Sequence, residues 1–322
     1  MGLVDGRYRL TRVLGEGAAG AVWLARDEKT RIDVALKILR PHLATTKDMI
    51  ARFVQEADLA ERMLSPHIVR VLARGLAKET EPYIAYELLD GEDLGVRLER
   101  GGRLWLDQTR AVVIHTCRAL ARAHALGVLH RDIKPDNLFL TKEQGRTTVK
   151  VLDFGVAELV RSVDANGPLV GTLEYLAPEV VLGERAPSAR SDIFSLGVTA
   201  YRCLAGAAPF PAENMGQLVL AHAKTTPKPL RELDTRIPRA VDDWFARALA
   251  RDPDRRFDDA RATAEAFEAA VAKANIRPTG VLSPLDSQRL KKRFDSRYNI
   301  VNANESEEAP ADPAAKSRKD PP

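Results

Sequence analysis

Between Val128 and Gly155, two carboxylates, an amide and a lysine stand at short intervals on loops between short apolar runs: Asp132, Lys134, Asn137 and Asp153. Asp132 can accept the proton of a hydroxyl group, and Lys134, two residues on, can reach a phosphoryl group in transfer. Asn137 and Asp153 offer the hard oxygen ligands that magnesium prefers. Together they suit a site that holds Mg²⁺ and a polyphosphate beside an acceptor hydroxyl. The plainer reading, a set of solvated loop charges, would not require these residue types at these separations.

The elements that must carry those loops are legible upstream and downstream. Tyr8–Leu14 alternates like a strand, runs into Gly15-Glu16-Gly17-Ala18-Ala19-Gly20, and strand character resumes from Val22 to Ala25. A dinucleotide-binding loop has the same glycine spacing but opens a helix, whereas this one leads into a strand and a charged turn, Arg26 to Arg31. A glycine hairpin lets backbone amides approach phosphates closely. Asp33–Leu39 is the next strand, and Lys37 stands in its apolar run, which is costly unless the ammonium is paired. Residues 47–64 follow helical spacing, with Glu56 at the edge of the apolar stripe as the candidate partner. Ile68–Leu72 and Pro82–Leu88 complete a small antiparallel sheet. Beyond Gly91 the patterns are helical: Asp107–Leu126 closed by Gly127, Ser191–Leu204 closed by Gly206, Pro238–Ala250 and Asp258–Ala274.

His130-Arg131-Asp132 with Asn137, followed by Asp153-Phe154-Gly155, resembles the catalytic and metal loops of the bacterial Hanks-type (eukaryotic-like) Ser/Thr protein kinases. Matching positions spread from Gly15 to Arg256, most of the chain. The resemblance implies an α+β, bilobal fold with a small antiparallel-sheet lobe and a larger helical lobe. It implies ATP and Mg²⁺ (or Mn²⁺), and transfer of the γ-phosphoryl to protein Ser or Thr hydroxyls, the kinase itself among the acceptors, with a homodimer possible during that step. Lys37 and Glu56 would form the pair that positions the α- and β-phosphates. Val22, Ala35 and Phe139 would sandwich the purine, although each could equally be plain core; Leu14 would belong to the ATP site, with Gly15, Gly17 and Gly20 over the phosphates. Tyr86 would stand behind adenine, and backbone groups of Glu87 and Leu89 would hydrogen-bond it. Gly171 to Glu179 resembles the segment that seats the peptide, with Thr172 bonded to Asp132 and Lys134, and Glu179 paired to Arg256. Lys134 favours Ser/Thr over Tyr. Asp192 would tie down the catalytic loop; its plainer reading is a carboxylate favoured by a helix N-terminus. His130, Arg131 and Phe154 would be structural.

Two departures from the family pattern stand out. Ala18 and Ala19 occupy the loop tip, where many kinases carry an aromatic or serine. Between Gly155 and Gly171 the only hydroxyl is Ser162, so phosphorylation near the end of that loop is not expected to drive activation, and Arg131 would meet Asp164 or backbone. Two other functions remain to be weighed. A kinase-fold scaffold without turnover usually lacks one of the lysine, the catalytic Asp or the metal Asp, and all are present. A small-molecule phosphotransferase usually lacks the Gly171–Glu179 segment.

The chain has 322 residues, 45% of them hydrophobic and 29% charged, with a net charge of +4. Its excess arginine is dispersed, without the aromatic-interleaved basic cluster that nucleic acid would require. Cys117 and Cys203 lack metal or redox spacing and read as buried thiols. No leader or membrane-spanning run is evident, which suggests a cytoplasmic protein. The expected division is a sheet lobe over 1–89, a helical lobe over 90–274 and a Pro-, Ala- and charge-rich tail over 275–322.

Overall fold

The computed structural model describes residues 3–16, 20–40, 61–77, 81–143, 146–154, 174–212 and 214–272. Contacts group Met1–Val281 into one compact unit and Leu282–Pro322 into a second; every residue described belongs to the first.

The chain opens with β1 (Leu3–Val4), β2 (Tyr8–Glu16), β3 (Gly20–Asp27), β4 (Asp33–Leu39), β5 (Val71–Ala77) and β6 (Glu81–Glu87). They form one antiparallel sheet in the order β1-β2-β3-β4-β6-β5. Because side chains alternate across a strand, the register decides which residues face the same way. Val34 and Leu36 turn to a small core with Tyr8, Ala25, Tyr83 and Ala85. Ala35 and Lys37 therefore turn to the other face, with their cross-strand partners Val22 (opposite Lys37) and Tyr86 (opposite Ala35). One strand thus serves two purposes: half its side chains hold the sheet lobe together and half line a cleft.

β5 begins at Val71, later than the expected Ile68. The backbone of the preceding residues is taken elsewhere: Val69 N donates to Val151 O at 3.1 Å, Val151 N donates to His67 O at 2.9 Å, and Ile68 forms a single parallel bridge with Val151.

The second part holds β7 (Gly91–Asp93), β8 (Leu138–Glu143) and β9 (Arg146–Val151) in a small antiparallel sheet. Its helices are α1 (Leu94–Gly101), α2 (Leu106–His124), α3 (Pro178–Val181), α4 (Ala189–Ala205), α5 (Met215–Lys224), α6 (Leu230–Leu233), α7 (Arg239–Ala248) and α8 (Ala260–Ala272). α4 is the centre. Ser188 and Ser191 cap its start reciprocally, Gly206 ends it at φ +77°, and nearly all residues between are buried. Around it lies the main core, including Leu120, Ile133, Val151, Phe194, Trp244 and Phe267. Side chains of this kind each contribute about 1.5–3 kcal/mol on full burial. Both cysteines lie there as buried free thiols. Among the described residues no helix is long and apolar enough to cross a membrane.

Candidate active site

Two loops meet between the sheets, and a buried carboxylate on α4 shapes the first. Asp192 is 1% exposed. Its Oδ2 accepts His130 N–H at 2.9 Å, its Oδ1 accepts Arg131 N–H at 2.8 Å, and His124 Nε2 lies 2.8 Å from Oδ2. Arg131 sits at φ +67°, a left-handed conformation that costs a side-chain-bearing residue about 1–2 kcal/mol. The two amide bonds to a desolvated carboxylate offset that cost and fix the turn. His130 is fully buried and engaged at both ring nitrogens: Nδ1 accepts Asp132 N–H at 3.2 Å, and Nε2 is 2.8 Å from Leu152 O. Phe154 packs edge-on against it, with centroids 4.7 Å apart. His130 therefore links the loop to the strand end at Leu152 and has no free nitrogen for acid–base work.

The next residues gather around Asp132. Lys134 Nζ lies 2.9 Å from Asp132 Oδ2. Asn137, on the 3₁₀ turn Pro135–Asn137, donates its amide to the same Oδ2 at 2.8 Å and to Asp132 O at 2.7 Å. The other carboxylate oxygen, Asp132 Oδ1, is buried and has no hydrogen-bond partner among the described residues. An unpaired buried acceptor costs about 1–3 kcal/mol.

Leu152 N donates to Asn137 O at 2.9 Å, so the two loops run side by side and Asp153 follows at once. Asp153 stands at φ +52°, a second strained position, and its Oδ1 lies 2.6 Å from Lys37 Nζ. The sequence pointed Lys37 at Glu56, which lies outside the described residues; the partner described is Asp153. With its Nδ2 committed to Asp132, Asn137 would have its amide oxygen to offer a cation, and Asp153 its carboxylate. This donor set fits Mg²⁺, which takes one or two protein oxygens and completes its shell with water and phosphate. Among the described residues no group of three or more His, Cys, Asp or Glu could hold a metal alone, so phosphate oxygens would have to supply the rest.

Above these loops is the cleft face of the sheet, with Val22, Ala35, Lys37 and Tyr86 on one side by register. Gly15 lies opposite Val22 in the β2–β3 hairpin, with open space where a Cβ would be, and Leu14 is exposed. At Gly20 a Cβ would collide with the backbone carbonyl of Ile38, so only glycine fits. Gly17 lies outside the described residues. Glu87 N donates to Arg70 O at 3.0 Å. The Glu87 carboxylate accepts from Arg70 N–H at 2.9 Å and from Lys150 Nζ at 3.0 Å. Leu89 and Phe139 are half-buried, and Phe139 on β8 pairs with Lys150 and Asp93.

The far side of the site is held by a buried ion pair. Arg256 Nη1 and Nη2 donate to the two oxygens of Glu179 at 2.8 and 2.7 Å, and both residues are almost fully buried. Arg256 also donates to Ala250 O, Arg190 O and Arg251 O, and its guanidinium lies 4.7 Å from the Phe194 ring centroid. Tyr175 hydrogen-bonds Arg202, and burial pushes its hydroxyl up to about 12. Gly171, Thr172, Ser162 and Asp164 lie outside the described residues.

Sequence reasoning missed His124 and Lys150. His124 gave only the weak signal of a histidine in the last turn of a helix. Lys150 had the same signal as Lys37, a lysine inside an apolar strand, and that could have found it.

The protein kinase domain family matches residues 8–267. The Ser/Thr-protein kinase Pkn1 of Myxococcus xanthus is 36% identical over 280 residues, covering 85% of this chain and 39% of that protein. PknA of Corynebacterium glutamicum is 35% identical, covering 83% of this chain and 57% of its own, and PknA of Mycobacterium tuberculosis is 34% identical, covering 85% and 63%. The chain thus spans 39% to 63% of the length of these relatives. Among solved structures, the kinase domain of M. tuberculosis PknI superposes with a TM-score of 0.66 at 30% identity, over 82% of this chain and 96% of that one.

Proposed function

Since the chain belongs to the protein kinase domain family, we propose that it is a Ser/Thr protein kinase that transfers the γ-phosphoryl of ATP to a protein hydroxyl. The observation that carries this reading is Asp132. One of its oxygens is held by Lys134 and Asn137, and the other is buried and unpaired.

In this reading Asp132 Oδ1 receives the hydroxyl hydrogen of the acceptor and aims its oxygen at the γ-phosphorus. Lys134 neutralises charge on the phosphoryl in flight. Lys37 exchanges Asp153 for the α- and β-phosphates as nucleotide enters. Asn137 and Asp153 would hold Mg²⁺, which when bound neutralises phosphate charge. The glycine hairpin covers the phosphates, with amides at Gly15 and Gly20 free of side chains. Val22, Ala35 and Phe139 flank the purine, and the Glu87 carbonyl and Leu89 backbone meet its edge. Catalysis comes from positioning and charge neutralisation. A protein substrate, rather than a small molecule, is supported by the Tyr175–Glu179 segment fixed to the lobe through Arg256.

The test is intact mass of dephosphorylated protein before and after Mg²⁺-ATP, with a generic basic protein as acceptor and Asp132→Asn beside it. Phosphate gained by the wild type alone, on itself or on the acceptor, is the expected result. No transfer, together with a thermal shift on adding Mg²⁺-ATP, would overturn the reading in favour of a nucleotide-binding scaffold.

A further inference from the structure

Where α7 ends and the 3₁₀ turn Pro253–Arg255 begins, a groove of about 640 Å³ opens on the helical lobe. Arg247, Arg251 and Arg255 line it and are exposed, while the small side chains of Ala246, Ala250 and Pro253 leave it open. None of the three guanidiniums has a carboxylate partner among the described residues. The adjacent arginines differ: Arg185 and Arg190 are taken up by Asp254 at 3.1 and 2.5 Å, and Arg190 also by Asp258 at 2.8 Å. Of the three acids in the groove, Glu179 is neutralised by Arg256, the Asp252 side chain caps the turn by accepting Asp254 N–H at 3.0 Å, and Glu184 is exposed at the edge. With Glu179 neutralised, the three unpaired arginines outnumber the remaining acids of the lining, Glu184 and Asp252.

The backbone of the groove is anchored to the substrate-side segment. Arg247 lies over the Phe257 ring at 4.4 Å. Arg256 holds the carbonyls of Ala250 and Arg251 at 2.8 and 3.1 Å while gripping Glu179, so the loop bearing Arg251 and Arg255 is stitched to the end of the Tyr175–Glu179 segment. The Arg247 guanidinium is held against a ring and the backbone that carries Arg251 is anchored, and planar guanidiniums are suited to bidentate recognition of carboxylates.

We propose that this groove docks an acidic segment of the protein substrate, away from the hydroxyl that is phosphorylated. The proposal rests on the kinase reading for the partner's identity as a substrate, but not for its chemistry. Charge complementarity selects the occupant, and the link through Glu179 places it beside the substrate segment.

The test uses the full chain, without nucleotide, and a fluorescein-labelled Glu-rich dodecapeptide read by anisotropy. Saturable binding is expected, weakened about tenfold or more in Arg247→Ala/Arg251→Ala/Arg255→Ala and weakened by added salt, as screened ion pairs require. A Lys-rich peptide of equal length should not bind. The proposal is overturned if the wild type fails to bind, or if the triple variant, melting like the wild type, binds equally well. Should the triple variant not fold, Arg251→Glu alone takes its place with the same two outcomes. Transfer to a short acceptor peptide should be unchanged in these variants. Failure of the kinase reading would appear instead as absent transfer in a wild type that still binds the peptide.

Discussion

Replacing Arg256 by Met tests the claim that a buried ion pair, and not only apolar packing, joins the substrate segment to the helical lobe. The side chains of Arg256 and Glu179 are 0% and 4% exposed. Removing the cation leaves an uncompensated carboxylate in a site that water reaches poorly, at a cost of about 3–5 kcal/mol. The carbonyls of Ala250, Arg190 and Arg251 lose their donor as well, each worth about 1 kcal/mol if water does not replace it. A loss of about 4 kcal/mol or more is therefore expected, a large part of the roughly 5–15 kcal/mol that stabilises an ordinary domain. At roughly 2–4 °C per kcal/mol, the melting midpoint should fall by about 8–16 °C. Urea titration gives the free energy and calorimetry the midpoint. Glu179→Leu combined with Arg256→Met should be less destabilised than Arg256→Met alone, because no charge is then stranded. A midpoint for Arg256→Met within about 1 °C of wild type would refute the argument, as would strictly additive single and double variants.

Three further outcomes follow from the geometry. Asp192→Asn presents an amide N–H₂ where two backbone N–H groups need acceptors; phosphoryl transfer should fall about 10–100-fold with the KM for ATP little changed, and steady-state kinetics would show it. Burial lowers His222 to about 4 from the usual 6.5, and neither ring nitrogen has a partner, so the unfolded chain binds the extra proton first. Stability should hold above about pH 6.5 and fall as pH drops towards 4, and His222→Leu should flatten part of that slope in urea midpoints. Gly20→Ala drives a methyl into the Ile38 carbonyl, so β3 and β4 must part, with a loss of about 1–3 kcal/mol and weaker nucleotide binding by calorimetry.

The α+β architecture was legible because both its periodicities are strong: alternation in Asp33–Leu39 and the glycine-closed helix ending at Gly206 each survive in the structure within a residue or two. Ile68–Leu72 misled because an apolar run does not say which strand claims its backbone, and β9 claims that of His67 and Val69. Within the site, Asp132, Lys134 and Asn137 are close in sequence and meet in space. Lys37 needed a partner on any reading, but the choice between Glu56 and Asp153 depends on how the loops fold back across more than a hundred residues, which no local pattern encodes. His124 was invisible for the same reason: its meaning comes only from Asp192, 68 positions away.

The hold of Asp192 on the His130 and Arg131 amides also bears on motion. Those two protons belong to the loop of the candidate site, yet their acceptor lies in a helix that is almost wholly buried. Their exchange with solvent deuterium requires the loop to lift off the Asp192 carboxylate. The two amides should therefore exchange more slowly than those of exposed loops, and both should lose protection together in Asp192→Asn. Exchange at these two amides thus reads directly how firmly the loop is seated on α4.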